Sequence, residues 1–105
     1  MGTTAISRED VVQRLRVAEA QVRSLGVRRL ALFGSVVRGE AHARSDVDLL
    51  VEFEPGRKTY DSFLALGELL ERLLERPVEL VTTEALSPFI GPHVLAEAED
   101  VLRAA

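Results

Sequence analysis

The sequence contains no cysteine and no tryptophan. Without cysteine the chain has no disulfide framework, no thiolate metal site and no thiol nucleophile, and a reducing compartment is the natural setting. No apolar run approaches the roughly 18 residues that a membrane span requires, and the N-terminus lacks the basic and apolar segments of a secretory signal. We therefore expect a cytoplasmic protein that does not enter a membrane.

A surplus of positive charge is also missing. The chain has 13 lysine and arginine residues against 17 aspartate and glutamate residues, which gives a formal charge of -4. Proteins that hold nucleic acid by bulk electrostatics need an excess of positive charge, so we expect no bulk nucleic-acid binding. The net charge does not exclude a local basic groove. A length of 105 residues suits one core. We interpret residues 1–105 as a single domain whose residues 1–6 are frayed.

Hydrophobic spacing predicts alternating helices and strands. The predicted order is a helix over 7–25 with Ser7 as its N-cap, a strand over 27–33, a short helix after Gly34, a strand over 45–53, a helix from Asp61 or Ser62 to Arg76, and a strand over 78–82. The tail is either a helix or a helical turn followed by a short strand at Val101 and Leu102. This order predicts an α+β fold, with a small mixed β-sheet covered by helices.

Two aspartates stand at the start of the second predicted strand. Residues two apart in a strand project to one face, so Asp46 and Asp48 share a face opposite to the apolar core residues. A carboxylate pair that faces a cleft needs a cation, and its hard oxygen ligands suit Mg²⁺ in a two-metal site. The alternative is an ordinary turn and strand start whose carboxylates point into water.

Gly34 and Ser35 follow the first predicted strand, where the short helix begins. Such a junction offers backbone N–H groups and a hydroxyl to a phosphate, and glycine allows close approach of the backbone. The alternative is a plain turn with a helix N-cap. Ten residues, 36–45, separate this pair from Asp46. That length allows one short helix and a return into an adjacent strand, which would place a phosphate site opposite the metal pair.

Glu79 and Arg38 complete the candidate site. Glu79 lies in the third predicted strand, where it is either a metal ligand or general base beside the aspartates, or a solvent-facing strand residue. Arg38 either contacts phosphates or forms a surface ion pair with Glu40. The residues alone leave both alternatives open.

The motif formed by these residues resembles that of a known superfamily. Gly34-Ser35, ten residues, and then Asp46-Val47-Asp48 resemble the signature of the DNA polymerase beta-type nucleotidyltransferases. The fuller run over 34–53, with Arg38-Gly39, Ser45 and an apolar strand in order, is similar to the minimal nucleotidyltransferase (MNT) branch. The resemblance implies a nucleotidyltransferase fold over most of the chain.

The resemblance also implies roles for the candidate residues. Gly34, Ser35, Arg38 and Ser45 would form the nucleotide-binding segment, and Asp46, Asp48 and Glu79 would be the catalytic carboxylates that hold two Mg²⁺ ions. The chain departs from the family pattern at two positions. Glu79 stands where aspartate is commoner, and Val36 stands where many relatives have a basic residue.

Small stand-alone members of the MNT branch are similar to antitoxins that pair with a HEPN-domain ribonuclease toxin and transfer AMP from ATP onto a toxin tyrosine. The resemblance therefore implies a Mg²⁺-dependent nucleotidyltransferase that modifies a protein hydroxyl. It implies a HEPN-type partner, and a second copy of the chain is a further candidate partner. One alternative is a weakly catalytic or non-catalytic nucleotide-binding module that neutralises its partner by complex formation. Another is a structural interaction domain in which Asp46→Asn and Asp48→Asn change nothing.

Overall fold

A computed structural model describes residues 6–41 and 46–103. Within these ranges the helices are α1 (Arg8–Val17), α2 (Glu19–Ser24), α3 (Ser35–Arg38), α4 (Tyr60–Leu74) and α5 (Gly91–Glu97), with a 3₁₀ turn at Thr83–Ala85. The strands are β1 (Val27–Phe33), β2 (Val47–Phe53), β3 (Val78–Thr82) and β4 (Glu99–Leu102). They form a sheet in the order β3-β2-β1-β4. The predicted α+β class with a mixed sheet is confirmed.

The strand directions bring four chain segments to one edge of the sheet. Strand β1 is antiparallel to β2 and β4, whereas β2 and β3 are parallel. The end of β1 therefore meets the beginnings of the other three strands, through the pairs Phe33–Asp48, Asp48–Glu79 and Leu32–Glu99. We call this boundary, marked by Phe33, Asp48, Glu79 and Glu99, the carboxylate edge.

The side chains of β2 alternate as predicted on its core face. Val47, Leu49 and Val51 are fully buried, and Phe53 is 9% exposed. The opposite face departs from a simple polar pattern, because Leu50 is also buried at 2% exposure. Leu50 is a central strand residue that has paired neighbours on both sides, which removes it from water. Only the two ends of this face, at Asp48 and Glu52, remain partly accessible.

The single helix predicted over 7–25 is wrong, because the chain breaks it into α1 and α2. Ser7 is the N-cap as expected, and its Oγ accepts a hydrogen bond from the Asp10 N–H at 3.1 Å. Ala18 then leaves helical geometry with φ -100° and ψ 18°. No glycine or proline marks this break. Leu15 and Val22 on either side of it are both buried, so packing on the core decides where the helix turns.

The cap of α4 also differs from the prediction. Thr59, rather than Asp61 or Ser62, is the N-cap, since its Oγ1 accepts from the Ser62 N–H at 3.0 Å and Ser62 Oγ accepts from the Thr59 N–H at 2.9 Å. This reciprocal pair is a capping box. The helix ends at Leu74, before the predicted Arg76, with Glu75 in a left-handed conformation at φ 54°. No helix in the described ranges has the length and apolarity needed to cross a membrane.

The two ends of the described chain pack against the core. The second alternative for the tail is confirmed, because α5 is followed by β4, where Val101 and Leu102 are 4% and 3% exposed. Ile6 is 6% exposed and belongs to the core cluster, so the segment expected to fray does not include it. The rest of that segment, residues 1–5, lies outside the described residues.

The packing of α4 supplies a test of the core. Leu70 is fully buried, whereas Leu64 on the same helix is 45% exposed. We expect Leu70→Ala to lower the free energy of unfolding by about 2–5 kcal/mol, because it removes buried methyl groups and leaves a cavity. Leu64→Ala should cost less than about 1 kcal/mol. Urea unfolding of both variants measures this difference, and equal losses would contradict the described orientation of α4.

Candidate active site

Asp48 lies at the centre of the carboxylate edge. It is the second residue of β2, and it is paired with Phe33 of β1 on one side and with Glu79 of β3 on the other. Directly paired residues in a sheet project to the same face, and neighbouring strands lie about 4.7–4.9 Å apart. The strand register therefore sets the Asp48 and Glu79 side chains next to each other. Asp48 is partly buried, and Glu79 is exposed.

Asp46 lies just before β2, not within it. The predicted strand over 45–53 begins at Val47, so strand alternation alone does not direct the Asp46 side chain. Asp46 is exposed, and its charge acts on Asp48. Ser45, the remaining predicted nucleotide-binding residue, lies outside the described residues.

Burial and neighbouring negative charge raise the pKa of Asp48 above its ordinary value. Burial of the carboxyl is the largest cause, and the charges of Glu79 and then Asp46 add to it. Arg38 acts in the opposite direction, while Glu97 raises the pKa further. Within the described residues, the charged groups that act on Asp48 are thus three carboxylates and one guanidinium, an arrangement that favours a bound cation.

The backbone of Gly34 lies close to the side chain of Asp48. Its φ of 82° and ψ of -153° fall in a region that is essentially restricted to glycine. A Cβ atom at this position would lie 2.0 Å from Asp48 Oδ2. The backbone turn after β1 and the first strand carboxylate of β2 are therefore in contact, which is the juxtaposition that the motif predicted.

Helix α3 follows this turn and spans only four residues, Ser35–Arg38. A helix of this length has a small macrodipole, so any anion binding here depends on individual N–H groups rather than on the helix dipole. Val36 is 5% exposed and belongs to the core cluster. Its side chain therefore packs inward, which accounts for an apolar residue at this position.

Arg38 contacts two carboxylates. Its Nε donates to Glu40 Oε1 at 2.8 Å, so the ion pair that the sequence left as one alternative is present. Its Nη1 donates to Glu97 Oε1 at 2.6 Å. The hydrogen bond from Arg38 to Glu40 and the charge of Glu97 raise the pKa of Arg38, so the guanidinium stays charged.

Glu97 is a residue that the sequence patterns did not identify. It ends α5, and its Oε1 accepts from the Gly34 N–H at 3.1 Å as well as from Arg38. Its position follows from the pairing of β4 with β1, which brings the tail to the carboxylate edge. Nothing in the local sequence predicts that pairing, so the only available signal was the alternative of a strand at Val101 and Leu102.

The predicted carboxylates that the structure describes do not surround a common metal position. In the ranges 6–41 and 46–103, no three His, Cys, Asp or Glu side chains are grouped closely enough to hold a metal ion. Asp46 and Glu79 are exposed, so both side chains have room to rotate toward Asp48. The oxygen donors suit a hard divalent cation such as Mg²⁺, and ion binding would require this rotation.

A groove of about 520 Å³ lies elsewhere on the described surface, along α1. It is lined by Arg8, Glu9, Val12, Gln13, Arg16 and Val17. None of the predicted site residues that the structure describes lines it. Concavity alone therefore does not locate the carboxylate site, which is identified by its charges and backbone geometry.

The contact between Gly34 and Asp48 makes the glycine sensitive to substitution. We expect Gly34→Ala to lower the free energy of unfolding by about 2–5 kcal/mol, because the new Cβ meets Asp48 and the backbone leaves its allowed region. Gly56 is a matched control, since it also has a positive φ of 79° but a Cβ added there would meet nothing within 4 Å. Gly56→Ala should cost about 1–2 kcal/mol. Denaturant unfolding compares the two variants, and equal losses would rule out the contact.

The raised pKa of Asp48 predicts that neutralising its carboxylate raises the stability of the fold, by an amount that depends on pH. Because the pKa is higher in the folded state than in the unfolded state, protonated Asp48 favours folding, and this contribution is lost as the pH rises through the raised pKa. We expect Asp48→Asn to raise the melting temperature at pH 7 without divalent ions, with a difference that disappears toward pH 3. Glu52→Gln on the same strand controls for net charge. A destabilised Asp48→Asn variant at pH 7 would contradict the expectation.

Comparison with known families agrees with this geometry. The family model described as "Nucleotidyltransferase domain" matches residues 15–101. The protein adenylyltransferase MntA of Thermococcus cleftensis is 41% identical over 90 residues, which cover 85% of this chain and 90% of MntA.

Solved structures share the same architecture. A structure described as a minimal nucleotidyltransferase superposes with a TM-score of 0.78 at 37% identity, over 90% of this chain and 95% of its own. A chain from a complex of a tri-AMPylated Shewanella oneidensis HEPN toxin with an MNT antitoxin superposes with a TM-score of 0.56 at 18% identity, over 85% of this chain and 72% of its own. The second likeness shows the fold alone. With the family model and the MntA match together, the chain belongs to the nucleotidyltransferase family and is of the minimal, MNT type.

Proposed function

We propose that this nucleotidyltransferase transfers AMP from ATP onto a hydroxyl group of a partner protein. The observation that carries the proposal is the contact of Gly34 with Asp48, with Glu79 paired to Asp48 in the next strand. It joins a backbone suited to a phosphate with carboxylates suited to divalent ions. The similarity to MntA, a protein adenylyltransferase, supports adenylyl transfer as the reaction type.

The candidate residues take two roles in this proposal. Gly34, Ser35, Arg38 and Ser45 hold the triphosphate, and Asp46, Asp48 and Glu79 hold two Mg²⁺ ions. The fit of the metal rests on the donor chemistry and on the pairing of Asp48 with Glu79 in neighbouring strands; burial of Asp48 and then the charges of Glu79 and Asp46 also raise the pKa of Asp48. When bound, Mg²⁺ neutralises charge on the triphosphate and on the attacking oxygen.

The reaction forms one bond and breaks another at the α-phosphorus. The acceptor hydroxyl oxygen bonds to the α-phosphorus, and the bond from that phosphorus to the bridging oxygen breaks, so that its electron pair leaves with pyrophosphate. Glu79 is exposed at the rim of the site, where it can accept the hydroxyl proton directly or through water. Arg38 contributes by orienting and neutralising the phosphates, because its guanidinium stays charged.

A HEPN-type toxin is the proposed acceptor and partner. The carboxylate edge lies at one margin of a small sheet. The described helices and strands form that sheet and its core. The surface that positions an acceptor must therefore come largely from another molecule. The structural likeness to a chain from an AMPylated HEPN toxin–MNT antitoxin complex is consistent with this partner. A cytoplasmic location would supply both ATP and a reducing milieu.

A label-transfer experiment tests the proposal. The purified chain is incubated with Mg²⁺, α-labelled ATP and a candidate HEPN-domain partner, and label is expected on the partner. Asp46→Asn and Asp48→Asn should each lower the rate by about 100-fold or more, as expected for loss of a group that stabilises transition-state charge. Removal of Mg²⁺ with EDTA should abolish transfer.

Glu52→Gln is the control for this experiment. It removes the same charge from the same strand, at the far end from Asp48, and should leave the rate within about twofold. Retained transfer by Asp48→Asn would contradict the assigned site. Absence of transfer together with intact partner binding would favour the alternative of a module that neutralises its partner by complex formation.

A further inference from the structure

Glu97 makes the two contacts that a bound phosphate would need. One of its oxygens, Oε1, accepts from the Gly34 N–H at 3.1 Å and from Arg38 Nη1 at 2.6 Å. A backbone N–H after a glycine turn and a guanidinium are also the donors that commonly bind phosphate oxygens. Glu97 therefore presents a carboxylate oxygen to donors of the proposed nucleotide site.

The Gly34 N–H cannot donate a full hydrogen bond to Glu97 and to a nucleotide at the same time. The backbone of Gly34 has one N–H group, so it donates well to only one acceptor. Arg38 is different, because a guanidinium has five N–H groups and this one uses Nε for Glu40 and Nη1 for Glu97. A phosphate can thus join Arg38 without displacing its partners, but it must replace Glu97 at Gly34.

We propose that Glu97 is an internal anion that occupies the Gly34 phosphate position in the nucleotide-free protein and is displaced when a triphosphate binds. This proposal rests on the nucleotide-binding function proposed above, and it adds a residue that sets the affinity for the nucleotide. Glu97 opposes binding in two ways, because it competes for the Gly34 N–H and because its charge repels the triphosphate.

The surroundings of Glu97 allow such a displacement. Gly91 is the only buried residue of α5, so little packing holds the C-terminal end of this helix in place. The side chain of Glu97 is 25% exposed, and that of its partner Arg38 is 48% exposed. Rotation into solvent therefore costs the charge-assisted contacts but no large apolar surface. The charge of Glu97 also adds to the negative field at Asp48.

Nucleotide affinity of Glu97 variants tests the proposal. We expect Glu97→Gln to bind Mg²⁺-ATP about three- to tenfold more tightly than the native chain in calorimetric titration, where tenfold corresponds to about 1.4 kcal/mol. Glu97→Ala removes the acceptor as well as the charge and should bind at least as tightly. Thermal unfolding establishes that each variant is folded before titration.

Two charge-matched variants locate the effect. Glu99→Gln makes the same change of net charge two residues away, at a side chain that pairs with Arg8 at 2.7 Å, and should leave the affinity unchanged. Glu40→Gln releases Arg38 from its other partner but leaves Glu97 on the Gly34 N–H. Its effect should therefore be smaller than that of Glu97→Gln.

The outcomes separate the two proposals. If the native chain binds Mg²⁺-ATP and Glu97→Gln binds equally or more weakly, the competitor role is overturned while the proposed function stands, and weaker binding would make Glu97 a positioning residue for Arg38. If neither binds, both proposals fail. An independent measurement uses the native chain alone, where Mg²⁺-pyrophosphate should shift the Gly34 amide resonance, and an unmoved resonance despite binding would contradict displacement at Gly34.

Discussion

The contact between the Gly34 backbone and the Asp48 carboxylate is the constraint on which the site depends. A side chain at position 34 would put a Cβ atom 2.0 Å from Asp48 Oδ2, so the turn after β1 and the start of β2 approach this closely only through glycine. The register of β1 with β2 fixes Asp48 in place, and the parallel pairing of β2 with β3 adds Glu79 beside it. One sheet register thus joins the Gly34 turn to a carboxylate pair.

Charge balance then decides what the site can hold. In the part of the chain that the structure describes, Glu79, Asp46 and Glu97 are negative charges that act on Asp48, and Arg38 is a positive charge that opposes them. Glu97 accepts hydrogen bonds from both Arg38 and the Gly34 N–H. In the proposed function, the phosphates would replace Glu97 at the Gly34 N–H and join Arg38, and the metal ions would neutralise the carboxylates. Binding of metal and nucleotide should therefore be coupled.

Much of the chain follows from local rules. The ranges of β1 and β3 match the predicted strands, and the Ser7 cap and the alternation of core residues in β2 are also as predicted, because these depend on near neighbours in sequence. The break at Ala18 was not predictable in this way. It has no glycine or proline, and it arises where buried residues on both sides of Ala18 must reach the same core. The Thr59 cap was missed because Ser62 occupies the reciprocal position of the same capping box.

The sequence by itself determined the family motif, since the Gly34-Ser35 turn, the ten-residue interval and the Asp46-Asp48 pair depend on residue type and short spacing. It also determined that Glu79 lies within a strand. Only the tertiary structure decided that Glu79 is paired with Asp48 and that Glu97 reaches Gly34, over a separation of 63 residues. The physical reason is that strand order and direction are set by packing of the whole core, and no local pattern around residue 97 specifies that β4 joins the edge of the sheet beside β1.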